Sequence, residues 1–312
     1  MSRMIYGPVP SRRLGISLGV DIIPYKTCSY DCVYCQLGKT INQTKQRESF
    51  VWVDSVIKEI KEVIDQNSDI DYITFSGSGE PTLNQDIGEM IGRVKNLTQI
   101  PVAVLTNGSL LWDKMVREDL ARADLVIPSV DAVSEEIYQK VNRPIAGLKV
   151  KKVLEGIKEF CKGFKGKIYL EIMLVKNVND SEREISKINR FVKDLRIDEI
   201  QLNTVVRPPG EPDANPLNQE ELNKVKGLFD PKLKVEVIAN FKRETSKAYQ
   251  KDLEQAIIEL LKRRPTRGRE IAVSLGVHHN EIVKYLQILE EKKKIRRSKT
   301  REESGVYFVI TR

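Results

Sequence analysis

The chain has 312 residues, with 52 Lys+Arg against 44 Asp+Glu, a formal net charge of +8. Apolar residues make up 40 % and charged residues 31 %, enough for a sizeable core and against a disordered chain. No apolar run approaches the ~18–20 residues of a membrane span, and the start Met1-Ser2-Arg3-Met4-Ile5-Tyr6 lacks the apolar stretch of a secretory signal, so a cytoplasmic protein with no membrane partner is expected.

The charge is uneven. Residues 242–312 hold 18 Lys+Arg and 10 Asp+Glu, whereas residues 1–241 hold 34 of each. A near-neutral body with a basic appendage points towards an acidic partner such as nucleic acid.

In chain order, short apolar runs that read as covered parallel strands lie at 15–21, 72–76, 102–106, 125–130, 168–175 and 200–205, with a seventh at 235–238. Helical patterns separate them at 54–65 (with Asp54 as N-cap), 87–97, 113–121, 148–161, 182–195 and 219–228. Strands alternating with helices imply right-handed crossovers and a parallel sheet. Six or seven units are too few for a closed eight-stranded barrel, so an α/β fold with an open, partial barrel is expected, its chemistry at the C-terminal strand ends.

Near residue 241 the pattern changes, which sets domain boundaries at 1–241 and 242–312. A polar linker precedes an amphipathic helix carrying Leu253, Ile257, Leu260 and Leu261, stopped by Pro265. A short helix at 268–274, a turn at Leu275-Gly276-Val277, a third helix with Ile282, Leu286 and Leu289, and alternating runs at 295–298 and 306–310 follow. Three helices and a hairpin look like a winged helix-turn-helix domain.

Of the four cysteines, Cys28, Cys32 and Cys35 form a C-x3-C-x2-C motif after the first strand, and Cys161 stands apart at the end of a helix, where it reads as a small apolar core residue. A single loop can bring three thiolates to one metal site. Four-iron clusters usually take four cysteines, so three leave one iron open to a chelating ligand. The alternative is structural zinc, which needs four ligands and usually a distant second pair. The only histidines, His278 and His279, lie in the appendage. The second strand runs into Gly77-Ser78-Gly79-Glu80-Pro81-Thr82, where glycines allow close backbone approach and a carboxylate can take an ammonium group.

The three-cysteine motif, with Tyr34 just before its last cysteine, and the G-E-P segment resemble the radical S-adenosylmethionine superfamily over about residues 12–240. Gly7-Pro8-Val9-Pro10-Ser11-Arg12-Arg13-Leu14-Gly15 together with Cys-Ser-x-Asp-Cys-Val-Tyr-Cys is similar to a prokaryotic branch related to wyosine-forming tRNA enzymes. The resemblance implies a partial (β/α)6 TIM-like barrel, a [4Fe-4S] cluster on Cys28, Cys32 and Cys35, and S-adenosylmethionine as cofactor. It implies that Ser78, Gly79 and Glu80 hold the methionine ammonium, that Ser129 and Asp131 meet the ribose, and that Tyr34 and Asn203 border the adenine. It further implies reductive cleavage to a 5′-deoxyadenosyl radical, hydrogen abstraction from a substrate, and an electron donor such as a ferredoxin or flavodoxin.

Further candidates come from the residues themselves. Asn107, Arg143 and Arg207 follow strand ends and are candidate substrate contacts, Arg143 having a surface ion pair as its bland alternative. Arg12, Arg13 and Lys26 could tune a cluster through charge or belong to a solvated basic surface. In the appendage, Lys284, Lys292, Lys293, Lys294, Arg296 and Arg297 are candidate contacts to tRNA or DNA phosphates. The expected function is a radical enzyme, with nucleic-acid modification as one use. The alternative is an iron–sulfur regulator that binds DNA.

Overall fold

The computed structural model describes residues 4–11, 13–66, 70–205, 209, 211–238, 251–263, 266–275, 277, 279–299 and 306–311. Arg12, Arg207, Pro265, Gly276, His278 and most of the expected linker lie outside the described residues.

The chain opens with a hairpin, β1 (Ile5–Ser11) antiparallel to β2 (Gly15–Val20). The loop after β2 carries two short strands, β3 (Thr27–Cys28) and β4 (Asn42–Gln43). Crossover units follow: α1 (Val53–Ile64), β5 (Tyr72–Phe75), α2 (Ile87–Leu97), β6 (Val102–Thr106), α3 (Lys114–Leu120), β7 (Leu125–Pro128), α4 (Glu135–Val141), α5 (Val150–Gly163), β8 (Lys167–Leu174), α6 (Glu182–Val192), β9 (Glu199–Thr204), α7 (Gln219–Lys226) and β10 (Val235–Val237). The sheet order is β1-β2-β5-β6-β7-β8-β9-β10, and from β2 onward every neighbouring pair is parallel.

The sheet curls into the expected partial barrel, and one contact measures the curl. Arg13, in the β1–β2 turn, bonds Glu171 of β8 at 2.8 Å. Four strand intervals separate β2 from β8, about 19 Å in a flat sheet at ~4.8 Å per strand. A side chain spans that gap only if the sheet wraps round it. Strand residues sort by period two. Leu18, Ile73, Val104, Leu170 and Leu202 enter the main core. On the opposite face Ser17 bonds Thr74 and Asn203 bonds Glu171, each pair between neighbouring strands. An apolar floor of Leu14, Ala103, Leu125 and Ile127 closes its lower end.

Two local expectations are corrected. Helix α1 starts one residue earlier, capped by Trp52 without a side-chain bond, and Asp54 sits in the first turn. Strand β1 was not anticipated, because Gly7, Pro8 and Pro10 interrupt its pattern. Proline is tolerated there because β1 is an edge strand.

The remaining elements are α8 (Lys251–Arg263), β11 (Thr266–Arg267), α9 (Gly268–Leu275), α10 (His279–Glu291), β12 (Ile295–Lys299) and β13 (Val306–Ile310). They form a three-stranded sheet of order β11-β13-β12 and a separate core of Leu253, Ile257, Ile271, Ile282, Leu286 and Leu289. Among the described residues no helix is long and apolar enough to cross a membrane.

Candidate active site

The cysteine loop folds over the C-terminal ends of β2 and β5. It is stitched down by backbone bonds from Lys26 N to Ser78 O (2.7 Å) and from Glu80 N to Thr27 O (3.1 Å). A Cβ on Gly79 would lie 1.9 Å from Thr27 O. Gly79 is therefore glycine because the cysteine loop lies against it, a reason different from the ligand contact expected.

Each thiol faces an N–H donor. Cys28 Sγ accepts from Asn107 Nδ2 at 3.4 Å, Cys32 Sγ from Asn142 Nδ2 at 3.5 Å, and Cys35 Sγ from Lys26 Nζ at 3.3 Å. Burial pushes the Cys28 thiol up to about 12, with the Glu80 carboxylate adding to it. Burial raises Cys32 as well, with the Asp131 charge and the other two thiols as further causes. The three sulfurs thus share one electrostatic environment. Among the described residues no group of three or more His, Cys, Asp or Glu side chains is placed to hold one metal ion, whereas a four-iron cluster takes its thiolates on separate irons. Thiols on one loop, each supplied with a hydrogen-bond donor, are the donor set that iron–sulfur ligation uses and that tunes such clusters. The residues present fit that group. Cys161 lies apart in the main core, pushed up to about 12 by burial.

Glu80 is buried, and burial raises its pKa against the pull of four hydrogen bonds. Its Oε1 accepts from Thr82 N, Thr82 Oγ1 and Thr106 Oγ1, and its Oε2 from Asn107 N at 2.7 Å. A carboxylate offers about four lone-pair sites, so what Glu80 can still accept is at Oε2. Ser78 is held by Asp21, its hydroxyl donating to Oδ2 at 2.5 Å and its N–H to Oδ1 at 3.1 Å. Burial raises Asp21.

Several expected roles change. Asp131 accepts from Tyr34 (2.5 Å), Asn142 (2.7 Å) and the Met173 N–H (2.9 Å). Burial pushes its carboxyl up to about 6. It is a strut between the cysteine loop and β8, with two of these bonds on Oδ2 and one on Oδ1, so that Oδ1 can still accept another. Asn107 supports Cys28 and Ser29 and so serves the thiols before any substrate. Asn203 Nδ2 holds Glu171 at 2.9 Å. Arg143 bonds Glu211 at 2.5 Å in a half-exposed surface pair, the bland alternative. Tyr34 and Ser129 do line the cavity.

That cavity measures about 1160 Å³, beyond the roughly 300–1,000 Å³ of a single ligand pocket. Cys28, Tyr34, Gly79, Glu80, Asn107 and Ser129 form one wall, and Arg13, Ser17, Thr74 and Glu171 continue it into the barrel. The far wall comes from α9, α10 and the hairpin. Lys284, expected to face nucleic acid, lines this cavity, with its ammonium 5.2 Å from the centre of the Tyr6 ring. Lys292 and Lys294 both bond Glu254, and Arg297 bonds Glu290; these three stay exposed, as do Lys293 and Arg296. Glu171 was missed as a site residue, and Arg13 was expected only to tune a cluster through its charge or to lie on a solvated surface. The available signal was period-two polarity: Glu171 and Asn203 interrupt otherwise apolar strands.

A partial parallel barrel with a three-thiol loop and a buried glutamate at its C-terminal strand ends defines an iron–sulfur enzyme of the S-adenosylmethionine-dependent kind. Residues 22–187 match the model described as the Radical SAM superfamily, and residues 253–311 match that described as FaeA-like protein. The chain belongs to the radical SAM superfamily and to the UPF0026 family. It is 38 % identical over 271 residues to the UPF0026 protein of Methanocaldococcus jannaschii, covering 85 % of this chain and 84 % of that one. It is 40 % identical over 296 residues to a protein named GTPase Obg from Brachyspira hyodysenteriae, covering 95 % of this chain but only 44 % of that one.

Solved structures share the fold. The radical SAM methyltransferase from Sphaerobacter thermophilus has a TM-score of 0.56 at 16 % identity, over 71 % of this chain and 66 % of that one. Streptococcus suis SuiB, bound to S-adenosylmethionine, has 0.53 at 17 % identity, over 68 % and 49 %. TYW1 with a lysine-pyruvate adduct has 0.51 at 15 % identity, over 98 % and 82 %. The superfamily consists of enzymes that use a [4Fe-4S] cluster and S-adenosylmethionine and need a reductant.

Proposed function

We propose that Cys28, Cys32 and Cys35 ligate the cluster and that the chain cleaves S-adenosylmethionine reductively to act on a substrate enclosed in the barrel. The observation that carries this is the single cavity shared by Cys28, Glu80 and the polar barrel interior. When bound and reduced by a donor such as a ferredoxin or flavodoxin, the cluster and cofactor supply a 5′-deoxyadenosyl radical, which removes hydrogen from the substrate.

The chain's own residues do the positioning. Lys26, Asn107 and Asn142 donate to the three sulfurs and hold them in register. Glu80, fixed by Thr82, Thr106 and Asn107, presents Oε2 to the ammonium of the methionine moiety. Tyr34 and Ser129 border the rest of the cofactor. We assign residues 1–241 to this catalytic unit and 242–312 to a winged-helix unit. A nucleic-acid substrate rests on the exposed Lys292, Lys293, Lys294, Arg296 and Arg297, since Lys284 lines the cavity. The matched relatives offer no support for the regulator alternative.

The test is anaerobic reconstitution with iron and sulfide, then reduction in the presence of S-adenosylmethionine. 5′-Deoxyadenosine should form with the native chain and not with Cys28→Ala, Cys32→Ala or Cys35→Ala. A fully loaded, reduced protein that leaves S-adenosylmethionine intact refutes the reading.

A further inference from the structure

The two halves of the site leave the sheet from neighbouring strands. The cysteine loop leaves β2 at Asp21, and the segment that carries Glu80 leaves β5 at Ser76. These strands pair in parallel up to Val20 and Phe75, and Ser76 N–H closes the ladder on Val20 O at 3.0 Å. Beyond it the two segments are joined by loop contacts, and Asp21 makes the first. Asp21 is 7 % exposed. Its Oδ2 accepts from Ser78 Oγ at 2.5 Å and its Oδ1 from Ser78 N at 3.1 Å. The Ile23 N–H, in the cysteine loop, also donates to this carboxylate. Gly77 has a φ of 150°, and a Cβ there would lie 2.3 Å from Asp21 Cγ. Gly77 is therefore glycine because the Asp21 carboxylate lies against it.

Each polar group of Ser78 is engaged away from the cavity. Its N–H and hydroxyl go to Asp21, its carbonyl takes the Lys26 N–H at 2.7 Å, and its Oγ is reached by Asn280 Nδ2 at 3.4 Å. Gly77, Gly79 and Glu80 line the cavity, and Ser78 between them does not. Ser78 thus works as a rivet. On one side it is fastened to Asp21. On the other it is fastened to Lys26, whose Nζ donates to Cys35 Sγ at 3.3 Å.

We propose that Asp21 is a positioning residue for S-adenosylmethionine: through Ser78 it fixes the segment 77–80 against the cysteine loop and so sets where Glu80 Oε2 stands relative to the three thiols. This rests on the reading that Glu80 Oε2 takes the methionine ammonium. A ligand gripped at two places tolerates little drift between them, and a misplacement of ~1 Å can cost about 10²-fold. Asparagine at position 21 can keep the contacts, with Oδ1 accepting the Ser78 N–H and Nδ2 donating to Ser78 Oγ, because a hydroxyl both donates and accepts. Alanine loses them all.

The test is calorimetric titration of the full-length, reconstituted protein with S-adenosylmethionine, with affinity taken per cluster loaded. Asp21→Ala should weaken binding about tenfold and Ser78→Ala about threefold, whereas Asp21→Asn should stay within about twofold of native. Residues that act through one contact are not additive, so Asp21→Ala/Ser78→Ala should lose about tenfold rather than about thirtyfold. In 5′-deoxyadenosine formation, Asp21→Ala should raise KM for S-adenosylmethionine and leave kcat nearly unchanged. A merely structural role would lower kcat with the folded fraction and leave KM in place. If Asp21→Ala does not fold or load iron, Ser78→Ala still decides, and Asp21→Asn/Ser78→Ala should match it. Native affinity in Asp21→Ala and Ser78→Ala overturns the proposal, as do additive losses in the double variant. Asp21→Asn as weak as Asp21→Ala also overturns it, and would make Asp21 a countercharge to the ammonium. A native chain that binds no S-adenosylmethionine refutes the enzyme reading and this inference with it. A native chain that binds it and forms 5′-deoxyadenosine, beside variants of equal affinity, refutes the role of Asp21 alone.

Discussion

Replacing Gly79 with alanine tests whether packing of the cysteine loop makes the site. The added Cβ would lie 1.9 Å from Thr27 O, 1.1 Å inside the 3.0 Å that real Cβ contacts respect. The atom it meets is backbone, so no side-chain rotation relieves the overlap. The loop must lift by about that distance, and two hydrogen bonds lie in its path, Lys26 N to Ser78 O and Glu80 N to Thr27 O. Each is worth about 0.5–1.5 kcal/mol net, and forced overpacking adds ~1–3 kcal/mol. The expected cost is about 2–6 kcal/mol, concentrated where Cys28 is held. It outweighs the ~0.4–1 kcal/mol that a strain-free Gly→Ala change gains. Urea unfolding of the metal-free protein measures the stability, and iron content with visible absorbance after reconstitution measures the site. Gly79→Ala should be less stable and load less than half the native iron. Native stability together with native iron loading would refute the packing argument.

Other outcomes follow from the same geometry. Cys161→Ala, in the main core and away from the loop, should keep full iron loading and cost about 1 kcal/mol in urea unfolding, whereas each loop cysteine variant should lose the cluster absorbance. Asp131 has its carboxyl raised by burial from 3.8 to about 6. Its contribution to stability is therefore complete below 3.8 and is lost as pH rises through about 6. Melting curves should show the native chain losing ground to Asp131→Asn across that interval, and a gap constant with pH would contradict the assignment. Glu211→Gln breaks the half-exposed pair with Arg143 and should shift stability by no more than about 1 kcal/mol, with S-adenosylmethionine binding unchanged in calorimetry. A large loss of binding would put Arg143 back among the site residues.

Most of the barrel was legible because buried strands and amphipathic helices announce themselves by period. Strand β6 and helix α2 fall at the expected residues, 102–106 and 87–97. The cysteine loop was legible because three thiols in eight residues have few other uses. Two kinds of feature were hidden. Strand β1 carries prolines that only its edge position excuses, and edge position is a tertiary fact. The roles of Asp131, Asn107 and Arg13 depend on which partner consumes each polar atom, and spacing along the chain does not encode that. Asp131 meets Tyr34 from 97 positions away, and Arg13 meets Glu171 from 158.

The amides that face Cys28 and Cys32 come from residues 79 and 110 positions further along the chain. The thiols lie within one short stretch, but their surroundings exist only once the strands up to α4 have assembled. In small zinc modules the metal drives the chain to fold. Here the reverse order is expected, with the polypeptide reaching its native shape first and taking iron at a finished cradle. Stripping the metal should accordingly leave a folded chain ready to be refilled, and whatever delivers iron and sulfide in the cell meets a completed barrel rather than a nascent loop.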